Sequence, residues 1–355
     1  PNHHNSAMDG IAFQCAHADK PLRLIGTAFA GRPFIGVVNA GECVKIMTGA
    51  IIPQGADTVE MQERVTWHDQ MASLQDTPKL GQHIRQAGED LAMHQNVLSK
   101  GHSIKPADIG LVASLGIAEV KVFHALKVAF FSTGDELVEI GKPIQAGQIY
   151  DSNRYTLFGM LSRMGAIISD LGNVPDDPVL LEQTLINASQ QHDVVITSGG
   201  VSVGEADYMK MLLAKHGQVL FWKINMKPGR PLAYGKIANA HYFGLPGNPV
   251  SAMVTFYQFV QPAIKALSGQ PFGIAPMFKL QCVSPIKKAM GRTEFQRGIL
   301  FQNSMGVWQV KPTGAQGSGM LSSMSLANCF IVLDETVGNL EAGAEVNVQV
   351  LEGVI

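Results

Sequence analysis

The sequence predicts a multidomain α/β plus β protein, and three observations carry that prediction. Residues 125–273 alternate near-continuous apolar runs with helical segments that open on capping residues and stop on glycine. Residues 10–88 are short apolar runs cut by Gly, Pro, Asn and Asp, and residues 274–355 return to that texture. The 355-residue length is two or three domains at about 150 residues each.

In chain order, the first texture offers short strands at 37–38, 44–47, 51–52 and 58–61, which suit a small barrel or sandwich. A short helix is expected within 103–116. Pro106 stands near its start, and Gly116 is placed to end it in a left-handed conformation. The run 126–131 reads as a strand covered on both faces. A helix over 154–164 follows, stopped by Gly165, and 167–171 is the next strand. Asp177 before Pro178 pairs an N-cap with proline at the first helical position and opens a helix to Gln190. Then come a buried strand over 194–197, a helix over 206–216 stopped by Gly217, and a strand over 219–224. Pro249 opens a long apolar helix ending at Ser268 and Gly269. Such alternation implies a doubly wound, mainly parallel sheet with right-handed crossovers. The last texture places strands at 278–283, 295–301, 307–310, 330–333 and 346–351, and no internal repeat is visible.

Composition limits the partners. Charged residues are 16% of the chain, against about 25% on average. Lys plus Arg number 27 and Asp plus Glu 29, a net charge of −2. No global field draws nucleic acid or a membrane, so an anionic ligand must be held by a local cluster. Cys15, Cys43, Cys282 and Cys329 are far apart and form no CxxC pair. That excludes a zinc site of paired thiolates, and a reducing, cytoplasmic setting is expected. No apolar run reaches the ~18 residues of a membrane helix. No signal peptide is visible in a sequence that starts at Pro1.

The α/β segment places its chemistry at the carboxyl ends of strands, where open α/β sheets bind ligands. Ser132-Thr133-Gly134-Asp135-Glu136 follows the first strand. Ser198-Gly199-Gly200-Val201-Ser202-Val203-Gly204-Glu205-Ala206-Asp207 follows the third, and Leu245-Pro246-Gly247-Asn248-Pro249 feeds another helix start. Glycines let backbone N–H groups approach an anion, and a helix N-terminus adds a positive dipole end. Taken one at a time, each loop is equally a tight turn. Glu136, Asp176 or Asp177, and Asp207 follow strand ends, and hard oxygen ligands suit Mg²⁺ beside substrate phosphates. Asp177 is given to capping, which leaves Asp176 as the ligand; Asp207 taken alone reads as a first-turn acid that favours the helix dipole. Lys223 and Lys227 lie an even number apart, so on an extended segment they share a face, and Pro228-Gly229 presents Arg230. This trio is the counterpart an anionic substrate needs. Asn5 to Gly10 is on its own an Asx-type turn, and Thr48-Gly49 and Gly88-Glu89-Asp90 are loop signals. The histidines lack metal-ligand spacing, and Met209 and Met211 read as filling.

Together these residues resemble the molybdopterin molybdenumtransferase (MoeA) family, which includes the E domain of gephyrin. The strings are Asn5-Ser6-Ala7-Met8-Asp9-Gly10, Ile46-Met47-Thr48-Gly49-Ala50, Gly88-Glu89-Asp90 and Ser132-Thr133-Gly134-Asp135-Glu136-Leu137. They continue with 198–207, Lys227-Pro228-Gly229-Arg230-Pro231, 244–251, Glu294-Phe295-Gln296-Arg297 and Gln316-Gly317-Ser318. The ordered set spans nearly the whole chain. Ile11 stands where the family usually has Tyr, and His4 where it typically has Asp.

The resemblance implies four segments. Residues 1–9 and 89–124 would form an elongated linker and dimerisation domain whose N-terminal part is missing. Residues 10–88 would be a small β-barrel-like domain, 125–273 the molybdopterin-binding α/β domain, and 274–355 a C-terminal β domain. It also implies insertion of molybdate into adenylylated molybdopterin, with Mg²⁺-dependent release of AMP, by a homodimer. Carried over by motif, Asp9, Thr48 and Asp90 would be catalytic residues lining a wall contributed by the partner subunit. Glu136, Asp176 and Asp207 would hold Mg²⁺ or phosphates, with Glu136 and Asp207 also catalytic. Ser198, Gly199, Gly200, Ser202, Gly204, Lys223, Lys227 and Arg230 would bind the anionic groups. Pro246, Gly247, Asn248 and Pro249 would shape the loop, and Arg297 and Ser318 would reach in from the C-terminal domain. Molybdate and adenylylated pterin are both anionic, so cations and dipoles must offset their repulsion. No protein thiolate is needed, because the sulfurs come with the ligand. A molybdopterin adenylyltransferase, which shares the α/β core and is also an expected partner, is the alternative enzyme. A gephyrin-like scaffold is the alternative outside enzymes.

Overall fold

The structure is a computed structural model and describes residues 2–200, 205–270 and 275–351. The chain divides into two units, Pro1–Ser99 and Lys100–Ile355.

The first unit is built on a six-stranded mixed sheet. Its order is Thr58–Met61, Gly10–Phe13, Glu42–Ile46, Leu22–Ala28, Met71–Leu74 and Val65–His68. Alternation along a strand sends side chains to opposite faces. Ala12 joins Ala28, Val44, Ile46 and Val59 in one core, while its neighbours Ile11 and Phe13 join Leu22, Cys43 and Ala72 in another. The expected strands at 44–47 and 58–61 are present within a residue or two. Those at 37–38 and 51–52 reduce to isolated bridges, Val37 to Gln54 and Ile51 to Asn5.

The second unit carries two sheets. The first has the order Ile167–Val174, Lys127–Thr133, Val194–Ser198, Ala240–Leu245, Pro231–Ile237 and Gly217–Lys223. The first four strands are parallel and the last two antiparallel. Lys127–Thr133 shows why it is covered on both faces. Val128 and Phe130 face the helices Ser152–Arg163 and Pro249–Thr255, while Ala129 and Phe131 face Pro178–Gln191 and Glu205–His216. Each of the fully buried Val and Phe side chains contributes about 1.5–3 kcal/mol. Asp177 caps its helix as expected, its Oδ1 accepting from the N–H groups of Val179 and Leu180 at 2.9 Å.

Three expectations are corrected. The 219–224 run is an antiparallel edge strand, and the Pro231–Ile237 and Ala240–Leu245 hairpin beside it was not expected. Lys223 and Lys227 do not share one extended segment: the strand ends at Lys223, and Met226–Lys227 pairs with the second sheet. The helix from Pro249 is also not uniform. A π turn, Phe256–Val260, separates Pro249–Thr255 from Gln261–Leu267. Pro262 lacks an N–H and its ring crowds the carbonyl four residues back, so the register shifts there.

The second sheet closes on itself. Thr293–Gln302, Trp308–Pro312, Met277–Cys282, Glu345–Val350 and Cys329–Leu333 pair in turn, and the last returns to the first. Met226, Val250, Val254, Met324 and Phe330 form a core joining this barrel to the α/β sheet. The helix Pro106–Ser114 buries none of its residues. Among the described residues no helix is long and apolar enough to cross a membrane. The four cysteines are free, and burial pushes the Cys43 and Cys329 thiols up to about 12.

Candidate active site

The parallel strands Lys127–Thr133, Val194–Ser198 and Ala240–Leu245 end side by side, and their loops enclose a cavity of 620 Å³. Glu136, Ser198, Gly199, Gly200, Pro246, Gly247, Asn248 and Pro249, all expected in the site, line it. Gly199 and Gly200 both have positive φ, and a Cβ on Gly199 would overlap the Thr133 carbonyl oxygen. Only glycine therefore permits this close crossing. Gly199 N–H donates to the Leu245 carbonyl at 3.1 Å, tying two of the loops together.

Three further residues line this cavity, two of which, Asn153 and Asp151, the sequence reading does not mark. Asn153 Nδ2 donates to Ser198 Oγ and to the Gly247 carbonyl, both at 2.8 Å, and so holds both Gly-containing loops. Asp151 caps the Ser152–Arg163 helix through Oδ1, which accepts from Arg154 N at 3.2 Å. Thr133 closes the floor. The sequence signal for Asn153 and Asp151 is the capping triplet Asp151-Ser152-Asn153, which starts the helix two residues before the expected Arg154. Asp151 is 5% exposed, and its Oδ2 has no hydrogen-bond partner among the described residues; nor has Thr133 Oγ1. Buried polar oxygens are normally paired, so an edge with two orphans is shaped for something that binds there.

A second cavity of 450 Å³ adjoins the first, and Pro231 and Asn248 line both. Lys227, Arg230 and Ser318, expected in the site, line it together with Ser251, Arg292, Glu294 and Gln316. Gly229 has φ +98°, and a Cβ there would overlap Thr255, so the turn that presents Arg230 requires glycine. Lys227 Nζ donates to Glu294 Oε1 at 3.1 Å. Asn248 precedes Pro249–Thr255 without using its side chain as a cap, which leaves its amide for a ligand.

Arg297 is 1% exposed. Its Nε donates to Ser323 Oγ at 2.9 Å and its Nη2 to the Gly317 carbonyl at 3.0 Å, so it holds the Gln316–Ser318 loop from behind. Burial pushes its guanidinium pKa down, and Glu294 opposes that. Ser318 O accepts from Val250 N at 3.1 Å, fixing the loop against the helix start. Lys223 is exposed and lines neither cavity. Asp176 lines neither; its N–H donates to Asp135 Oδ1 at 3.4 Å. Ser202, Gly204 and the side chain of Asp207 lie outside the described residues, although the Asp207 backbone is in the Glu205–His216 helix. In the Pro1–Ser99 unit, Thr48 donates its N–H and its hydroxyl to Asp9 Oδ1, both at 2.7 Å. Asp90 is exposed on a loop of the same unit. Among the described residues no three acidic, His or Cys side chains gather into a ready metal cage.

Comparison with known proteins covers nearly the whole chain. Residues 1–116 match the model of the MoeA N-terminal region (domain I and II), 129–266 a probable molybdopterin binding domain, and 279–351 the MoeA C-terminal region (domain IV). A molybdopterin molybdenumtransferase of Haemophilus influenzae is 49% identical over 353 residues, 98% of this chain and 87% of that protein. A gephyrin of Dictyostelium discoideum is 35% identical over 98% of this chain and 55% of its own length. The crystal structure of a molybdopterin biosynthesis moeA protein from Pyrococcus horikoshii is similar with a TM-score of 0.83 and 28% identity, over 98% of this chain and 88% of that one.

Proposed function

Because the chain belongs to the molybdopterin molybdenumtransferase family, we propose that it inserts molybdate into adenylylated molybdopterin and releases AMP, a step of molybdenum cofactor biosynthesis. The observation that carries this reading is the pair of adjoining cavities. One offers carboxylates, hydroxyls and glycine backbone; the other offers cations; and Asn248 and Pro231 stand at their junction. An adenylylated pterin suits the first and molybdate the second. The relatives bear the name of the transferase and not of an adenylyltransferase, so that alternative is not favoured.

The residues present fit Mg²⁺. Glu136 and Asp151 line one cavity, Asp151 Oδ2 is unpartnered among the described residues, and the surrounding side-chain donors are oxygens or amides. Two carboxylates plus substrate phosphates are a usual Mg²⁺ set. Glu136 and Asp151 would hold the ion, with Asp207 reserved as a third ligand by motif. When bound, it supplies Lewis-acid polarisation of the phosphoanhydride and stabilises charge on the departing AMP. The chain's own groups do the rest. Asn153 fixes Ser198 and Gly247 so that the Gly199 and Gly200 backbone stays set before the ligand arrives, and such preorganised donors stabilise developing charge. Arg230 and Lys227 offset the repulsion between the two anionic substrates.

Four further points belong to this reading. The chain acts as a homodimer, supported by exposed Ile109, Ile117, Val120, Val122 and Phe123 around a helix that buries nothing. It acts in the cytoplasm, supported by its free cysteines. A molybdopterin adenylyltransferase hands it the labile anhydride. The division into 1–9 with 89–124, 10–88, 125–273 and 274–355 describes its domains. The test supplies purified protein with Mg²⁺, molybdate and adenylylated molybdopterin. AMP release is expected, from a species of twice the 38.1 kDa chain mass in sedimentation. No AMP above the protein-free rate overturns the activity, and a monomer removes the dimer.

A further inference from the structure

The three motif strings of the Pro1–Ser99 unit meet on one short stretch of backbone. Asn5–Ser6 pairs antiparallel with Ile84–Arg85, and Ala7 N donates to the His83 carbonyl at 2.9 Å. The same stretch binds the Thr48 string: Ser6 N donates to the Ala50 carbonyl at 2.9 Å, and Gly49 N donates to the Ser6 carbonyl at 2.8 Å. His4 closes this arrangement. Its carbonyl accepts from Ile52 N at 2.9 Å, and its ring Nδ1 accepts from Ala87 N at 3.3 Å. One residue therefore joins the stretch that leads to Asp9, the segment that follows Thr48, and the loop that carries Asp90. That loop turns at Glu89, whose Oε2 accepts from Gln86 N at 2.7 Å and whose N–H donates to the Gln86 carbonyl at 3.2 Å. A ring nitrogen accepts a hydrogen bond only while it carries no proton. The Ala87 contact thus belongs to neutral His4, with its proton on Nε2, and is lost in the imidazolium. Histidine is the side chain whose ordinary charge change falls between about pH 5 and pH 8. The titratable and charged groups on the segments packed against His4 are His83, Arg85, Glu89 and Asp90 from 83–90, and His3 and Asp9 from its own; 48–52 carries none.

Resting on the proposed function, we propose that His4 is a positioning residue: its neutral ring holds the 87–90 turn against the segments that bear Asp9 and Thr48, so that turnover falls as His4 takes up a proton. His4 touches no substrate in this role; it acts through the loop that presents Asp90.

The test takes two measurements on the purified chain between about pH 5 and pH 8. His4 is exposed, so its replacement opens no core. The first measurement is hydrogen exchange at the Ala87 amide, corrected for the intrinsic rate. Wild type should be protected at the upper limit and lose that protection toward the lower one. His4→Ala should be unprotected throughout. His4→Asn should stay protected throughout, because Asn Oδ1 stands where His Nδ1 does, one bond beyond Cγ, and does not titrate. The second measurement is AMP release from adenylylated molybdopterin with Mg²⁺ and molybdate. At the upper limit His4→Ala should lower kcat about 2- to 10-fold, the span of one neutral hydrogen bond, with KM unchanged. The ratio of wild type to His4→Ala should fall to one toward the lower limit, and His4→Asn should recover kcat and hold its advantage over His4→Ala across the range. Ala87 exchange that answers neither to pH nor to His4→Ala overturns the inference. Exchange that answers to both, with kcat equal in wild type and His4→Ala, also overturns it, because the contact then positions nothing. Wild-type protein that releases no AMP overturns the proposed function and the role in turnover with it, while the Ala87 exchange still decides whether His4 holds the turn.

Discussion

At Asp9 a single carboxylate oxygen takes both donors of Thr48, and this holds the Asp9 carboxyl below its usual range, the backbone N–H contributing most. The folded state therefore prefers charged Asp9 more than the unfolded chain does. Its contribution is fully present above the unfolded pKa of about 3.9 and is lost as pH falls through the lower folded value. Asp9→Asn keeps the shape and removes the charge. Hydrogen exchange at the Thr48 amide should be faster in the variant by a constant factor above about pH 5, and the gap should close as pH falls through the lowered folded value. A gap that stays constant to the acid limit would mean that charge plays no part in the contact. Residue identity was legible at this scale where a motif carried it: Glu136, Lys227, Arg230 and Ser318 all reach a cavity. Placement was less legible. Arg297 lies in a run where Gln296, Arg297 and Gly298 are all buried, because the strand belongs to a closed sheet whose polar residues face its loops and helix. No spacing rule separates such an arginine from an exposed one, or marks Arg292 as the one that reaches the cavity.

Helix starts show what a segment's own chemistry can and cannot fix. Asp177 followed by Pro178 allows one register, and the structure uses it. Asp151-Ser152-Asn153 allows three, since each residue is a capping type. The structure selects Asp151, because only that start brings Asn153 onto Ser198 and Gly247. The consequence for stability is specific. Asp151→Ala removes the cap and should destabilise the chain by about 1 kcal/mol in urea unfolding, while Asp151→Asn should lose only a few tenths. An alanine variant as stable as wild type would show that the cap is not used. The missed hairpin has a different cause. Its turn places Ala238 at φ 49°, a conformation that alanine rarely adopts and that no turn propensity would assign to it. The sheet pairing on either side overrides the local preference. Strands buried on both faces, by contrast, announced themselves as continuous apolar runs: those predicted at 126–131 and 194–197 are present and buried, whereas 167–171 is present as a largely unburied edge strand.

For the whole molecule, the −2 balance required any anion to be held locally, and the Arg230 and Arg292 guanidiniums of one cavity meet that requirement. The division of labour between the two units is the remaining question, and it is open to experiment because each has cores of its own. The Pro1–Ser99 unit buries Ala12, Val44, Ile46 and Val59 on one face of its sheet and Phe13, Leu22 and Cys43 on the other. The second unit contains four more clusters, drawn wholly from its own residues. Both units should therefore fold when expressed apart. Both cavities lie within 100–355, whereas Asp9, Thr48 and Asp90 lie in the other unit. A 100–355 fragment should bind molybdate and AMP within about threefold of the full chain, a difference of under ~0.7 kcal/mol. If the three residues contribute to turnover and not to binding, the fragment should nevertheless release no AMP. Calorimetry and the AMP assay on the same preparation separate these outcomes: full activity in the fragment would remove Asp9, Thr48 and Asp90 from the reaction, and loss of binding would make the first unit part of the ligand site itself.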